Sequence, residues 1–253
     1  ASLYAAVLTE PAVSRTEDAR LRALAGHLWS LGQPVDAAQA WIALSDHHER
    51  RLDPAPAAEG ALRAAQALLS AGDAAGGMVQ ADRAVRLAEA GAAGTTLEEG
   101  LDVARRAGAQ LPDAASRARL QLLIARVAIH LGRADEALQA LEAVQDLLGS
   151  LGGAGDDTQD ARIALDLALL RGTALAQRGQ RGAAVALAEA ADQADGLGDD
   201  HAVGRVANAL GILHFNDGDF GNAANAWARS AEAKQRADDV RGWRIASSNR
   251  GLA

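Results

Sequence analysis

From Ala209 to Ala233 the chain reads ALGILHFNDGDFGNAANAWARSAEA, two runs of apolar residues at helical spacing separated by NDGDFGN. Val203, Val206, Leu210, Leu213 and His214 fall on one face of a first helix; Ala223, Ala224, Trp227 and Ala231 fall on one face of a second. Between them Gly218 is placed to end the first helix in a left-handed conformation. Asp219 is placed to cap the second, accepting a hydrogen bond from an otherwise unpaired backbone N–H.

The same punctuation occurs four more times, around Gly32 (LWSLGQPVDAAQAW), Gly72 (ALLSAGDAAGGMVQA), Gly132 (AIHLGRADEALQAL) and Gly179 (ALAQRGQRGAAVALA). Seven residues before each turn glycine stands a small residue: Ala25, Ala65, Ala125, Gly172 and Gly211. Five residues after it stands another: Ala37, Gly77, Ala137, Ala184 and Ala223. Small residues on facing helices permit close backbone approach, which offsets the roughly 1 kcal/mol that a mid-helix glycine such as Gly211 costs relative to alanine. Nine residues after each glycine come Trp41, Ala81, Leu141, Ala188 and Trp227, a position of variable size that fills space against the next helix. Helix pairs repeated in this way predict a solenoid.

Composition sharpens this reading. Of 253 residues 49% are hydrophobic but only 3% aromatic, so the core is built of Ala, Leu and Val, and the abundance of good helix formers predicts an all-α protein. There is no cysteine, hence no disulfide, thiolate metal site or cysteine nucleophile, which fits a reducing, cytoplasmic setting. No apolar stretch approaches membrane-spanning length. A net charge of −8, with both signs interspersed, argues against nucleic acid or anionic lipid as partner, although Arg117, Arg119, Arg126 and Arg133 concentrate positive charge locally.

The offsets of Gly211, Gly218, Ala223 and Trp227 resemble those of a tetratricopeptide repeat, a helix-turn-helix unit. The copy around Gly132 matches well, whereas those around Gly72 and Gly179 lack large residues where the pattern usually has them. The turn glycines lie 40, 60, 47 and 39 residues apart, beyond the standard period of about 34. In this they are similar to the extended repeats of bacterial signalling and regulatory proteins. The resemblance implies a right-handed superhelical solenoid of about five helix pairs, treated as one domain over residues 1–253. Its repeats are expected at 18–52, 57–91, 113–149, 158–197 and 201–237.

The 60-residue interval requires an extra helix, expected at 95–110, where Thr95 with Glu98, or Thr96 with Glu99, offers a capping box ahead of Leu97, Leu101 and Ala104. GSLGGAGDDTQD is expected to contribute a flexible loop between helices. Residues 240–253 repeat the start of the preceding unit, Gly251 standing forty after Gly211, and predict a truncated repeat whose parent chain continues.

Chemical motifs are sparse. DDTQD, Asp156 to Asp160, has the spacing of a magnesium-binding aspartate motif, which leaves a magnesium-dependent helical enzyme as a remote alternative. Asp156 or Asp157 is better placed to cap the following helix, and the aromatics of a carbocation pocket are missing. Adjacent His47 and His48 point to different helix faces and read as solvated or partly packed. No phosphate-binding loop or nucleophile elbow occurs, so no catalytic residue, metal or cofactor is assigned. The tryptophans read as core and packing residues between repeats, with Trp243, in the truncated repeat, expected to be partly exposed.

The resemblance places the inner surface on the first helix of each pair. It implies a lining of Arg22, Gly26 and Trp29; Glu59, Leu62 and Gln66; Arg119, Leu122, Arg126 and His130; Asp166, Leu169, Thr173 and Gln177; and Arg205, Asn208, Ile212 and Asn216. The expected activity is non-catalytic binding of a peptide, a protein segment or another domain of the parent chain in that groove. Arg126, Arg205 and Asn208 are candidates to hold its backbone or carboxylates. The alternative is a structural solenoid that self-associates through its terminal helices.

Overall fold

The computed structural model describes residues 14–91, 94–111, 113–151 and 157–253. Among them every regular element is an α-helix, twelve in all: α1 (Ser14–Ser30), α2 (Pro34–Arg50), α3 (Pro54–Ser70), α4 (Ala74–Gly91), α5 (Gly94–Gly108), α6 (Ala114–His130), α7 (Ala134–Leu151), α8 (Asp157–Gln177), α9 (Gly182–Leu197), α10 (Asp200–Asn216), α11 (Phe220–Arg236) and α12 (Val240–Arg250). The chain divides into two compact units, Ala1–Ser116 and Arg117–Ala253.

In the first unit each helix from α1 to α5 packs on its successor, and α3 also reaches α5. In the second, the helices from α7 to α12 do the same, and α8 also reaches α10. Successive helices within each unit are antiparallel, an arrangement consistent with a helical-repeat architecture.

One turn recurs throughout. Gly32, Gly72, Gly132, Gly179 and Gly218 all have positive φ, from +64° to +82°. At each, the N–H of the following residue bonds back to the carbonyl five residues earlier, as Gln33 does to Leu28 (3.0 Å) and Asp219 to His214 (2.8 Å). This closes the end of the helix without stranded carbonyls. Two further turns, between α2 and α3 and between α11 and α12, use the same bonds with Leu52 (φ 58°) and Asp238 (φ 55°) at the left-handed position. No glycine marks these two turns in the sequence.

Helix starts use two devices. Pro34 and Pro54 open α2 and α3 at a position whose N–H needs no partner. Aspartate caps serve elsewhere: Asp199 accepts from Ala202 N, Asp219 from Asn222 N and Asp239 from Gly242 N (3.1, 3.2 and 2.8 Å). The extra helix is present as α5, with Thr95 and Thr96 in its first turn; the threonine capping box adjoins residues 92 and 93, which lie outside the described residues. Leu97, Leu101 and Ala104 are among its buried residues, with Val103 and Ala107. The loop expected over GSLGGAGDDTQD is shorter at both ends, because Gly149 to Leu151 finish α7 and Asp157 to Asp160 open α8; residues 152–156 between them lie outside the described residues.

The core is largely alanine and leucine. Ala25, Ala65, Ala125, Ala37, Ala137 and Ala223 are fully buried, so the small-residue register holds for the copies around Gly32, Gly72, Gly132 and Gly218. The copy around Gly179 departs from it. Ala184 and Ala188 are exposed, while Ala183 and Leu187 are buried. The cause is a tighter first turn. Ala183 N bonds to Gln180 O, three residues back, where Ala37, Gly77, Ala137 and Ala223 each bond four residues back. One residue is thereby skipped, and Leu187 rather than Ala188 packs on Gly172. The large residue missing from this copy is present one position earlier.

The tryptophans divide as well. Trp227 is 3% exposed, and Trp41 packs against a cluster of Leu24, Ala25 and Ala40; Trp243 is 41% exposed, as its place in the truncated repeat predicts, and Trp29, 49% exposed, is not core.

Candidate interaction face

In the second unit the inner-surface residues expected on α6, α8 and α10 come onto neighbouring first helices. Gln177 of α8 donates Nε2 to the Ile129 carbonyl of α6 at 2.9 Å. Arg205 of α10 pairs with Asp166 of α8 at 2.9 Å. Asn249 of α12 donates to Asn208 of α10 at 3.3 Å. These contacts form a polar ladder across successive first helices, and three residues predicted to meet a ligand are its rungs. Their side chains therefore hold one repeat to the next.

The positions between the rungs are open. Arg119 and His130 on α6 are exposed, as are Asn216 and Ile212 on α10, the last to 44%. Arg126 is half-buried, and Thr173 turns back onto the Leu169 carbonyl of its own helix at 2.8 Å. Leu122 and Leu169, also expected on this lining, are buried to 5% each and belong chiefly to the core. A pocket of about 270 Å³ opens between α6 and α8, with Arg119 and Arg162 at its rim and Leu122 and Ile163 at its base.

In the first unit Arg22 spans from Asp18 to Glu59, both at 3.2 Å, so it too joins a first helix to the next. Leu62 is buried to 3%, Gln66 is half-buried and Gly26 is exposed.

Ion pairs separated by about one repeat also tie the second helices. Arg83 of α4 meets Asp46 and Glu49 of α2, each at 2.5 Å, and Arg229 of α11 meets Asp195 of α9 at 2.6 Å. Burial opposes the charge of Arg83, but the two carboxylates outweigh it and hold the guanidinium more firmly protonated than usual. A basic residue in one repeat with an acid 34 to 37 residues earlier is the signal by which such pairs are read.

His47 and His48 are partly packed rather than solvated. His48 Nε2 lies 2.6 Å from Asp18, and His47 Nδ1 lies 3.3 Å from Glu17, so two adjacent histidines on α2 face two adjacent acids on α1. Among the described residues no group of three His, Asp or Glu side chains is arranged to hold a metal, and no helix is long and apolar enough to cross a membrane.

No protein-family model matches the chain, and no curated protein matches it. The helix-pair packing is consistent with a generic helical-repeat architecture.

Proposed function

We propose that the chain is a non-catalytic scaffold or sensor module of tetratricopeptide type, part of a bacterial regulatory protein of the cytoplasm. It binds a protein segment across the first-helix face of its second unit. The observation that carries this reading is the alternation on that face. Gln177, Arg205 and Asn208 lock successive helices together, and Arg119, His130, Ile212 and Asn216 between them are left to solvent. A rigid surface with interspersed open polar and apolar positions suits an extended peptide, whose binding then costs no reordering of the scaffold.

The test is selection of peptides from a random library on the full chain, followed by competition with variants. Ile212→Asp with Asn216→Asp is expected to weaken the selected peptides at least tenfold while helix content is retained. Peptides bound equally by the wild type and this variant would place recognition elsewhere. Arg205 and Asn208 are poor test positions, because replacing them also cuts the ladder.

Self-association is a second reading, favoured by α12 and the residues after it, where Val240, Trp243, Ile245 and Leu252 are 41% to 68% exposed. It predicts a mass that rises with concentration in sedimentation and reverts to monomer in Trp243→Glu.

A further inference from the structure

The pocket between α6 and α8 has an unusual charge balance for an acidic chain. Arg119 and Arg162 line it, and among the described residues neither is engaged in an ion pair. The lining carboxylate, Asp166, is taken up by Arg205 at 2.9 Å. Thr158 and Gln159, from the first turn of α8, complete the polar side, and Leu122 and Ile163 give an apolar floor, 5% and 3% exposed. Other arginines of this unit do meet carboxylates: Arg178 meets Asp135, Arg229 meets Asp195 and Arg236 meets Asp200. What sets this concavity apart is that two guanidiniums share it while its one lining carboxylate, Asp166, is engaged by Arg205.

We propose that this pocket receives an oxyanion group, a carboxylate or a phosphoryl group, carried by an acidic side chain of the bound segment next to an apolar residue. The inference rests on the binding reading given above and deepens it by naming the chemistry recognised. A guanidinium presents two parallel N–H donors to an oxyanion, and charge-assisted bonds of this kind are about twice as strong as neutral ones. The N-terminal end of α8 adds a favourable backbone field for the same charge. With about 270 Å³ the pocket accommodates the charged end of a ligand together with a short apolar portion against Leu122 and Ile163, not a large cofactor.

The experiment is a titration of the full chain with glutarate, with inorganic phosphate and with uncharged glutaramide, read by NMR at the arginine Nε–H groups. Arg63, exposed on α3, serves as internal reference. Glutarate or phosphate is expected to shift Arg119 and Arg162 saturably, glutaramide to leave them unmoved, and Arg63 to stay unchanged throughout. Arg119→Gln or Arg162→Gln is expected to weaken binding by roughly ten- to a hundredfold, the loss of one or more charged hydrogen bonds. The tighter of the two anions assigns the group as carboxylate or phosphoryl. Non-saturating shifts of equal size at Arg63 would show ionic screening only and overturn the proposal.

Peptides selected on the face that are indifferent both to these arginine variants and to Glu→Gln changes of their own would overturn the pocket and leave the face reading intact. Saturable anion binding at the pocket, with no peptide bound to the face, would support the pocket and fail the face reading.

Discussion

Trp227 lies across Gly211: a Cβ built on that glycine would stand 2.5 Å from the indole nitrogen and 2.6 Å from the adjacent ring carbon. Leu187 lies across Gly172 in the same way, with its Cγ 2.6 Å from such a Cβ. Each pair joins the first helix of a repeat to the second. The glycine is a socket, and the large residue fills it.

Gly211→Ala is therefore expected to destabilise the protein by about 1–3 kcal/mol, since the rigid indole has to move, despite the better helix propensity of alanine. Gly172→Ala behaves alike. Gly26→Ala in α1 has the opposite sign, because nothing lies within 4 Å of its added methyl, and it gains roughly 0.5–1 kcal/mol. Urea unfolding of the three variants checks both directions.

The left-handed turns give a second pair of opposite signs. Leu52 holds φ 58° with its side chain 58% exposed, so it bears the strain of the turn without the reward of burial. Leu52→Gly is expected to raise stability by about 0.5–1 kcal/mol, and Gly218→Ala, forced to φ 78°, to lower it by about 1–2 kcal/mol. Midpoint shifts at unchanged m-value are the readout.

Lys234 of α11 is 8% exposed and lies with its Cγ and Cε over Gly204 and its Cδ beside Gly242. Burial pushes its ammonium below the usual lysine value and the charge of Arg205 adds to this, while Asp239 partly restores it. Between the folded pKa and the ordinary value near 10.5 the unfolded chain binds the extra proton, so this residue's contribution to stability rises with pH in that window. Lys234→Met is expected to be neutral or stabilising at pH 7 and to lose that advantage towards pH 10. Chemical denaturation of wild type and variant across that range shows it.

Asp18 carries the acid counterpart. Its modest burial favours the neutral form, but the hydrogen bond from His48 and the Arg22 guanidinium outweigh this and lower its pKa. Its contribution is thus present above the ordinary aspartate value, about pH 4, and is lost as pH falls through the depressed folded value. Asp18→Asn is expected to flatten the loss of stability below about pH 4 relative to wild type, as seen in denaturation midpoints at pH 3 and 5.

Much of the fold was legible because its cause is local. Helical periodicity, Gly32 and its four counterparts, and the Asp219 cap each act within a few residues, and each stands where the pattern puts it. The failures have a physical source too. Leu52 and Asp238 adopt a conformation that glycine would have announced, and at Gly179 an i−3 bond in place of i−4 moved the buried register from Ala188 to Leu187. The site was half legible. Helical spacing located the first-helix residues but could not tell a rung from an open position. Gln177, Arg205 and Asn208 find their partners 48, 39 and 41 residues away in sequence, and Arg162 carries no sequence signal because it is marked only by having no carboxylate partner among the described residues.

The most direct measurement is site-specific photocrosslinking, with benzoylphenylalanine at Ile212 or Asn216 on the first-helix face and at Val185 on α9, exposed to 72%, as the off-face control. With a library-selected peptide present, crosslinks are expected from positions 212 and 216 and none from 185. Crosslinks from 185 with none from the face would contradict binding there.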